Sequence, residues 1–164
     1  MKILNEQKCR NLDDQGYTFL SQEEKSKLNF ALRFTPTLCI IIVIFGMYLQ
    51  DWRIFGVLTI FGILGSAFSQ GQPFDVLYNT VLRNIFKTPK LPPSPPQKRF
   101  ACALGAIFLF GATVSFYYHA TIFGVLFGVG YIIAAGIMAG THWCAGSWIY
   151  NHLFGTSRKG PRKG

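Results

Sequence analysis

Residues 100–148 read FACALGAIFLFGATVSFYYHATIFGVLFGVGYIIAAGIMAGTHWCAGSW and contain no Asp, Glu, Lys or Arg. An α-helix needs about 20 apolar residues to cross a bilayer. This stretch holds two such lengths, Phe100–Tyr118 and Ala120–Thr141, joined by a tight aromatic turn around Tyr117, Tyr118 and His119. A buried helix of a soluble bundle keeps a polar stripe at helical spacing. Here the helical windows are apolar all round and are relieved only by small or uncharged polar residues. The stretch therefore reads as a membrane-spanning hairpin.

The same pattern lies upstream. Thr37–Leu49 and Ile54–Phe68 are strictly apolar, separated by Asp51-Trp52-Arg53. The first extends back to Leu28 if Arg33 snorkels to the interface. Met1–Asn29 is polar, so no cleaved leader is expected. A Ser21-Gln-Glu-Glu24 capping box predicts a helix start at Ser21, and Pro36 is expected to kink or restart that helix.

Composition agrees. Of 164 residues, 50% are apolar, 16% aromatic and only 14% charged, against about 25% charged in a soluble domain. Disorder is excluded by the aromatics, and a disulfide scaffold by the presence of only 4 cysteines. The net charge of +9 fits either a nucleic-acid binder or a membrane protein with basic loops. Placement decides: 15 of the 16 Lys and Arg precede the first span, lie between spans two and three, or follow span four, and only Arg53 sits in a hairpin. The positive-inside rule then makes both termini and the central loop cytoplasmic. Nucleic acid is not an expected partner. The bilayer is, together with a membrane-protein partner or a second copy.

Ile54-Phe-Gly-Val-Leu58 recurs as Ile122-Phe-Gly-Val-Leu126, an offset of 68 with 8 identities in 33 ungapped pairs. The expected fold is thus an all-α membrane protein of four transmembrane helices, arranged as two repeated hairpins. Each is followed by an interfacial amphipathic helix, Pro73–Lys87 and Trp143–Phe154. In the first, Phe74, Leu77, Val81, Leu82, Ile85 and Phe86 form the apolar side, with Asp75 on the other. In the second, Trp148, Ile149 and Leu153 are the side expected to be buried. The organisation is a cytoplasmic arm (1–30), a first unit (31–87), a Pro-rich linker (88–98), a second unit (99–154) and a basic tail (155–164). Gly56, Gly62, Gly124, Gly128, Gly136 and Gly140 are the expected close-packing positions between helices.

Few residues invite chemistry. Cys39 and Cys102 read as small apolar side chains within the spans. Cys144 stands at the expected start of a helix, two residues after His142, where a thiol can become reactive. Asp51 and Asp75 read as interfacial, and no ionisable carboxylate or base lies deep in a span. No haem pair, zinc spacing, Walker loop or nucleophile elbow is present, so neither metal nor cofactor is expected and the reading leans against an enzyme.

Pro96-Gln-Lys-Arg-Phe-Ala101, with Gly105 after it, opens the third helix. His142-Trp-Cys144-Ala-Gly146-Ser147-Trp-Ile-Tyr150-Asn151 closes the fourth. Together these resemble the small integral-membrane family catalogued as domain of unknown function 4395, over roughly Ala31 to Phe154. Members look like four-helix proteins ending in a Cys-x-Gly-Cys-x-x-Tyr-like segment. The resemblance implies Cys144, Gly146 and Tyr150 as matching positions, with Ser147 where the family has its second cysteine. It implies no activity.

Three readings remain open. The first is a non-enzymatic accessory or assembly component of a complex in the cell (inner) membrane, multi-pass with cytoplasmic termini. The second is a thiol-dependent sulfur or redox relay at the cytoplasmic interface, using Cys144 with His142, Ser147 and Tyr150 nearby. The third is a small-solute permease, supported by the repeat alone.

Overall fold

The computed structural model describes residues 4–70, 72–86 and 89–154, and the basic tail lies outside that range. The order is α1 (Glu6–Asp14), α2 (Gln22–Leu49), α3 (Trp52–Ala67), α4 (Pro73–Leu77), a π-helical turn (Tyr78–Leu82), α5 (Arg83–Phe86), α6 (Pro96–Tyr117), α7 (Thr121–Thr141) and α8 (Ala145–Phe154). Among the described residues the fold is all-helical. Helix α6 is central: it packs along α3 and α7 and carries α8 across its beginning, while α2 lies against α7.

The helix ends follow from local chemistry. The capping box is formed: Glu24 N–H donates to Ser21 Oγ (3.3 Å) and Ser21 N–H to Glu24 Oε2 (2.8 Å). Gln50 takes a left-handed φ of 53° to end α2, and Asp51 Oδ1 accepts from Arg53 N–H at 2.9 Å to start α3. Helix α2 runs unbroken through Pro36. The lost hydrogen bond costs about 3 kcal/mol in a free helix. Here Leu28, Ala31 and Leu32 on one side of Pro36 and Cys39 and Val43 on the other are all buried, so packing holds both halves in line.

Helices α2, α6 and α7 are each long and apolar enough to cross a membrane. Helix α3 is equally apolar, but its 16 residues at 1.5 Å rise reach about 24 Å, short of the ~30 Å hydrocarbon core. The long helices turn large apolar side chains outward, among them Ile44, Phe45, Ile60, Phe110, Leu126 and Ile133. A soluble monomer rarely exposes so continuous an apolar surface. It marks a membrane protein.

Two clusters make the interior. Val43, Phe55, Leu58, Leu109, Ala112 and Phe116 fill the middle of the bundle, with Phe55 stacked on Phe116 at 5.0 Å. At the other end, Leu4, Cys9, Leu12 and Tyr17 of the arm join Leu28, Leu32, Tyr78 and Leu91. The N-terminal segment is therefore a folded layer across one end of the bundle. It includes a helix, α1, that the sequence reading did not anticipate.

The first amphipathic segment turns most of its apolar side outward, as an interfacial helix does, but buries Asp75 of its polar side. The second exposes residues that the sequence reading expects to be buried. Asp75 and Tyr78 point inward, whereas Leu77, Val81 and Ile85 are exposed. In α8, Gly146 and Ser147 are buried, while Trp148 and Leu153 are exposed and Ile149 is half-buried. Where the surroundings are apolar, burying the polar side and presenting the apolar side costs least. The side chains of Phe86 and Lys87 lie outside the described residues. The Pro-rich stretch is also less free than a spacer. Leu91 and Ser94 are buried, Ser94 N–H donates to Ser69 O (2.7 Å), Leu91 N–H donates to Asn79 Oδ1 (2.8 Å), and α6 begins at Pro96.

Two arginines close helix ends. Arg99, near the start of α6, donates to Ser66 O (2.9 Å) and Ala67 O (2.8 Å) at the end of α3. Arg33, on α2, donates to Gly140 O (3.0 Å) at the end of α7. Hydrogen bonds to charged groups contribute about 1.5–3 kcal/mol. Arg99→Ala should lower thermal stability in detergent by about that much, and Arg33→Ala by no more. Equal melting of all three proteins would refute the capping role.

The glycines divide. A Cβ at Gly62 would lie 2.9 Å from Ala106 Cβ, one at Gly124 2.8 Å from the Phe116 ring, one at Gly56 3.7 Å from Thr113, and one at Gly128 would meet Met47. Among the described residues, Gly136 and Gly140 have nothing within 4 Å of that position. Gly62→Val should therefore cost about 1–3 kcal/mol by overpacking, while Gly136→Ala leaves the melting temperature unchanged or raised. Differential scanning fluorimetry in detergent compares the two.

Candidate functional site

A cavity of about 410 Å³ lies between α2, α3, α6, α7 and the start of α8. Three of the four cysteines line it, each from a different part of the chain: Cys39 on α2, Cys102 on α6 and Cys144 just before α8. Helical phase explains the assembly, since residues four apart share one face. Thr35 and Cys39 face inward together on α2, Lys98, Cys102 and Ala106 do so on α6, and Tyr131 and Ala135 do so on α7. The rest of the wall is mainly carbon, from Leu58, Phe61, Phe108, Leu109, Met138 and Ile149.

Gln72 ties two of the thiols together from the turn between α3 and α4. Its Nε2 donates to Cys102 Sγ at 3.2 Å, and Cys39 Sγ sits 4.0 Å from its Oε1 as a weak donor. Beside it lies a buried ion pair. Lys98 Nζ is 3.0 Å from Asp75 Oδ2, and both residues are under a tenth exposed. Asp75 also accepts from the Thr35 hydroxyl. Asp75, read from the sequence as interfacial, is thus buried among protein side chains, at the end of the bundle where α3 finishes and α6 begins. Asp75 and Tyr78, three residues apart, share the inward face, and the chain from Tyr78 to Leu82 takes a π-helical turn. Such turns are frequent at functional positions. All four cysteines are free, and Cys9, the fourth, is buried in the arm cluster away from the cavity.

Cys144 is where expected, capping α8: Trp148 N–H donates to Cys144 O at 3.0 Å. His142 is not its partner. The His142 ring is buried and turned the other way, with Nε2 2.7 Å from Asn29 Oδ1 and accepting from Arg33 Nε at 3.2 Å. Its backbone, at φ 58°, ends α7, and its carbonyl accepts from Gln15, while Thr141 O accepts from Asn11 at 2.8 Å. His142 is a junction between the arm and the bundle. Ser147 is buried and off the cavity wall, and its Oγ has no hydrogen-bond partner. Tyr150 packs its ring 5.6 Å from that of Phe100, seating α8 on α6, where Gly146 approaches Ala101 too closely for any side chain. Among the described residues, no group of three or more His, Cys, Asp or Glu could hold a metal ion.

Sequence reasoning missed Cys39, Cys102, Gln72, Lys98, Asp75 and Tyr131. Gln72 is separated from Cys39 by 33 residues and from Cys102 by 30, so no local spacing announces the group. The available signal was a pair of amides, Gln70 and Gln72, directly ahead of Pro73 at the end of an otherwise apolar window.

Burial, and next to it the charges of Arg33 and Lys8, push the His142 pKa down to about 4 from its ordinary 6.5. The folded protein thus keeps His142 neutral where the unfolded chain would protonate it. Stability from this junction is complete above pH 6.5 and is lost as pH falls toward 4. Hydrogen exchange at α1 should accelerate across that window in the wild type. His142→Asn should flatten the dependence. An α1 equally protected at pH 7 and pH 4.5 contradicts the assignment.

Comparison with known proteins adds the family and nothing more specific. No curated protein and no solved structure matches the chain. A family model, described as domain of unknown function (DUF4395), matches residues 29–154. That range runs from within α2 to the last residue of α8 and contains every residue of the thiol-lined cavity. The chain is a member of the family described as domain of unknown function (DUF4395).

Proposed function

We propose that this is a multi-pass protein of the cell (inner) membrane that performs thiol-dependent redox relay through the cavity holding Cys39, Cys102 and Cys144. In this reading α2, α3, α6 and α7 all cross, as two repeated hairpins of like orientation, with both termini cytoplasmic. The distribution of 15 of 16 basic residues supports that orientation. Two matched features support the repeat: the recurring Ile-Phe-Gly-Val-Leu runs start α3 and α7, and Arg33 and Arg99 each cap the second helix of the other hairpin. Helix α3 needs only its flanking residues or a local thinning of the bilayer to complete its crossing.

The single observation that carries the reading is the convergence of three thiols from distant chain positions on one cavity. The accessory-subunit reading draws on the Gly-rich helix faces, the amphipathic helices and the lack of a catalytic constellation, and the grouped thiols weigh against the last of these. The thiols are graded by access: Cys144 and Cys102 are partly exposed and Cys39 is buried. Cys144, at the start of α8, is the point of entry. Its thiolate attacks an incoming disulfide and releases one half of it as a thiol. Cys102 then attacks the Cys144 sulfur and releases the other half as a second thiol. Cys39 attacks Cys102 and releases Cys144, so that the disulfide lies between Cys102 and Cys39 as the Gln72 amide swings aside. Each exchange is reversible, and the same route run backwards passes a disulfide from the pair out through Cys144. Ser147 takes no part, so the cycle does not need a cysteine at that position.

Full-length protein in nanodiscs, equilibrated with glutathione buffers of graded poise and trapped with a mass-tagged maleimide, tests this. A two-thiol loss mapping to Cys39 and Cys102, slowed at least tenfold by Cys144→Ser, is expected. Three thiols that stay reduced at every poise refute the proposal.

A further inference from the structure

The make-up of the cavity constrains what it holds. Its one cation, Lys98, is neutralised by Asp75 at 3.0 Å, so a charged ligand finds no net counter-charge. Most of the wall is carbon, which matches an occupant that is mostly apolar. The polar end is rich in donors. Lys98 has three N–H groups with one directed at Asp75, and the Gln72 amide has a second N–H beyond the one given to Cys102. The Tyr131 hydroxyl, hydrogen-bonded to the Cys39 thiol, is free to turn to a ligand when that sulfur is oxidised. An uncharged molecule with a carbonyl-type acceptor at one end and an apolar body fits this arrangement. The helices around the cavity present apolar side chains outward, so such a molecule can arrive from the bilayer itself.

The thiols narrow the class further. Two cysteines, Cys39 and Cys102, hold opposite ends of one amide at the polar end, and together they can deliver two electrons and two protons. Among uncharged, bilayer-soluble carbonyl compounds, quinones accept that pair. We infer that the cavity binds a membrane quinone and that the quinone is the oxidant of the Cys39–Cys102 pair. The inference rests on the redox reading above. In the reaction both S–H bonds break and one S–S bond forms. The two electrons and two protons pass to the quinone, whose two C=O groups become C–OH. Lys98 and Tyr131 hold the carbonyl oxygen nearest the sulfurs by hydrogen bonds. The quinol leaves to the bilayer, and the disulfide leaves by exchange through Cys144.

The test uses the reduced full chain in nanodiscs with decylubiquinone, whose fully substituted ring has no free position for thiol addition. One quinone reduced per protein is expected, read by ultraviolet absorbance, with loss of the two thiols at positions 39 and 102. Cys39→Ser and Cys102→Ser should each abolish quinol formation. Ala135→Phe, which fills the cavity from α7, should block oxidation by the quinone but not by glutathione disulfide. Tyr131→Phe, a milder change, should raise the quinone concentration at half-maximal rate about tenfold, the loss of one hydrogen bond. If glutathione disulfide oxidises the pair and the quinone does not, the quinone inference falls and the thiol relay stands. Loss of both oxidations overturns both. Quinol formation that persists in Cys39→Ser also overturns the inference.

Discussion

A helix that ends in or near an apolar medium leaves its last carbonyl groups without water, and each must find a donor. In this protein the donors come from elsewhere in the chain. Arg99 holds the end of α3, and Arg33, Asn11 and Gln15 hold the end of α7. The consequence reaches well past hydrogen bonding. Arg99 sits at the start of α6 and Arg33 lies within α2, so capping fixes the height of each helix relative to its neighbour. The same contacts set α6 against α3 at Gly62 and Ala106, and α2 against α7. The cavity is the space left when these pairs are held at one end.

That end is also where polar groups collect. Burying an ion pair is costly unless its geometry is good and its remaining valences are met. Asp75 is met by Lys98 and Thr35, on α6 and α2. Asp75 therefore joins α6 and α2 and closes one side of the cavity. Gln72, three residues before it, does the same for the sulfurs. The segment from Gln72 to Leu82 is thus the organiser of the site, although it belongs to none of the long helices.

Much of the architecture was legible from residues alone. Charge-free windows marked the long helices, the capping box placed the start of α2, and the Pro-Gln-Lys-Arg-Phe-Ala and Cys-x-Gly-x-x-x-Tyr segments pointed to the family. The orientation of the short helices was not, because amphipathicity says which residues share a side and not which side faces in. Soluble-protein habit buries Trp148 and Leu153, whereas an apolar surround inverts the choice. The site itself was least legible. Cys39 and Cys102 look like ordinary helix-filling thiols in sequence, and their meaning lies in a shared amide that only the tertiary arrangement supplies. His142 was legible as special, but for the wrong reason: its neighbour in sequence is Cys144, and its neighbours in space are Asn29 and Arg33.

The tie between the arm and α7 also has a temporal side. Asn11 grips the carbonyl of Thr141 across a separation of 130 residues. At a synthesis rate of about 5–20 residues per second, the arm waits roughly 6–26 s for that partner to be made. During this interval α1 has neither the α7 end nor α8 to lean on. The arm can pack on Leu28 and Leu32 of α2 early, but its grip on the end of α7 forms only once α7 has been made.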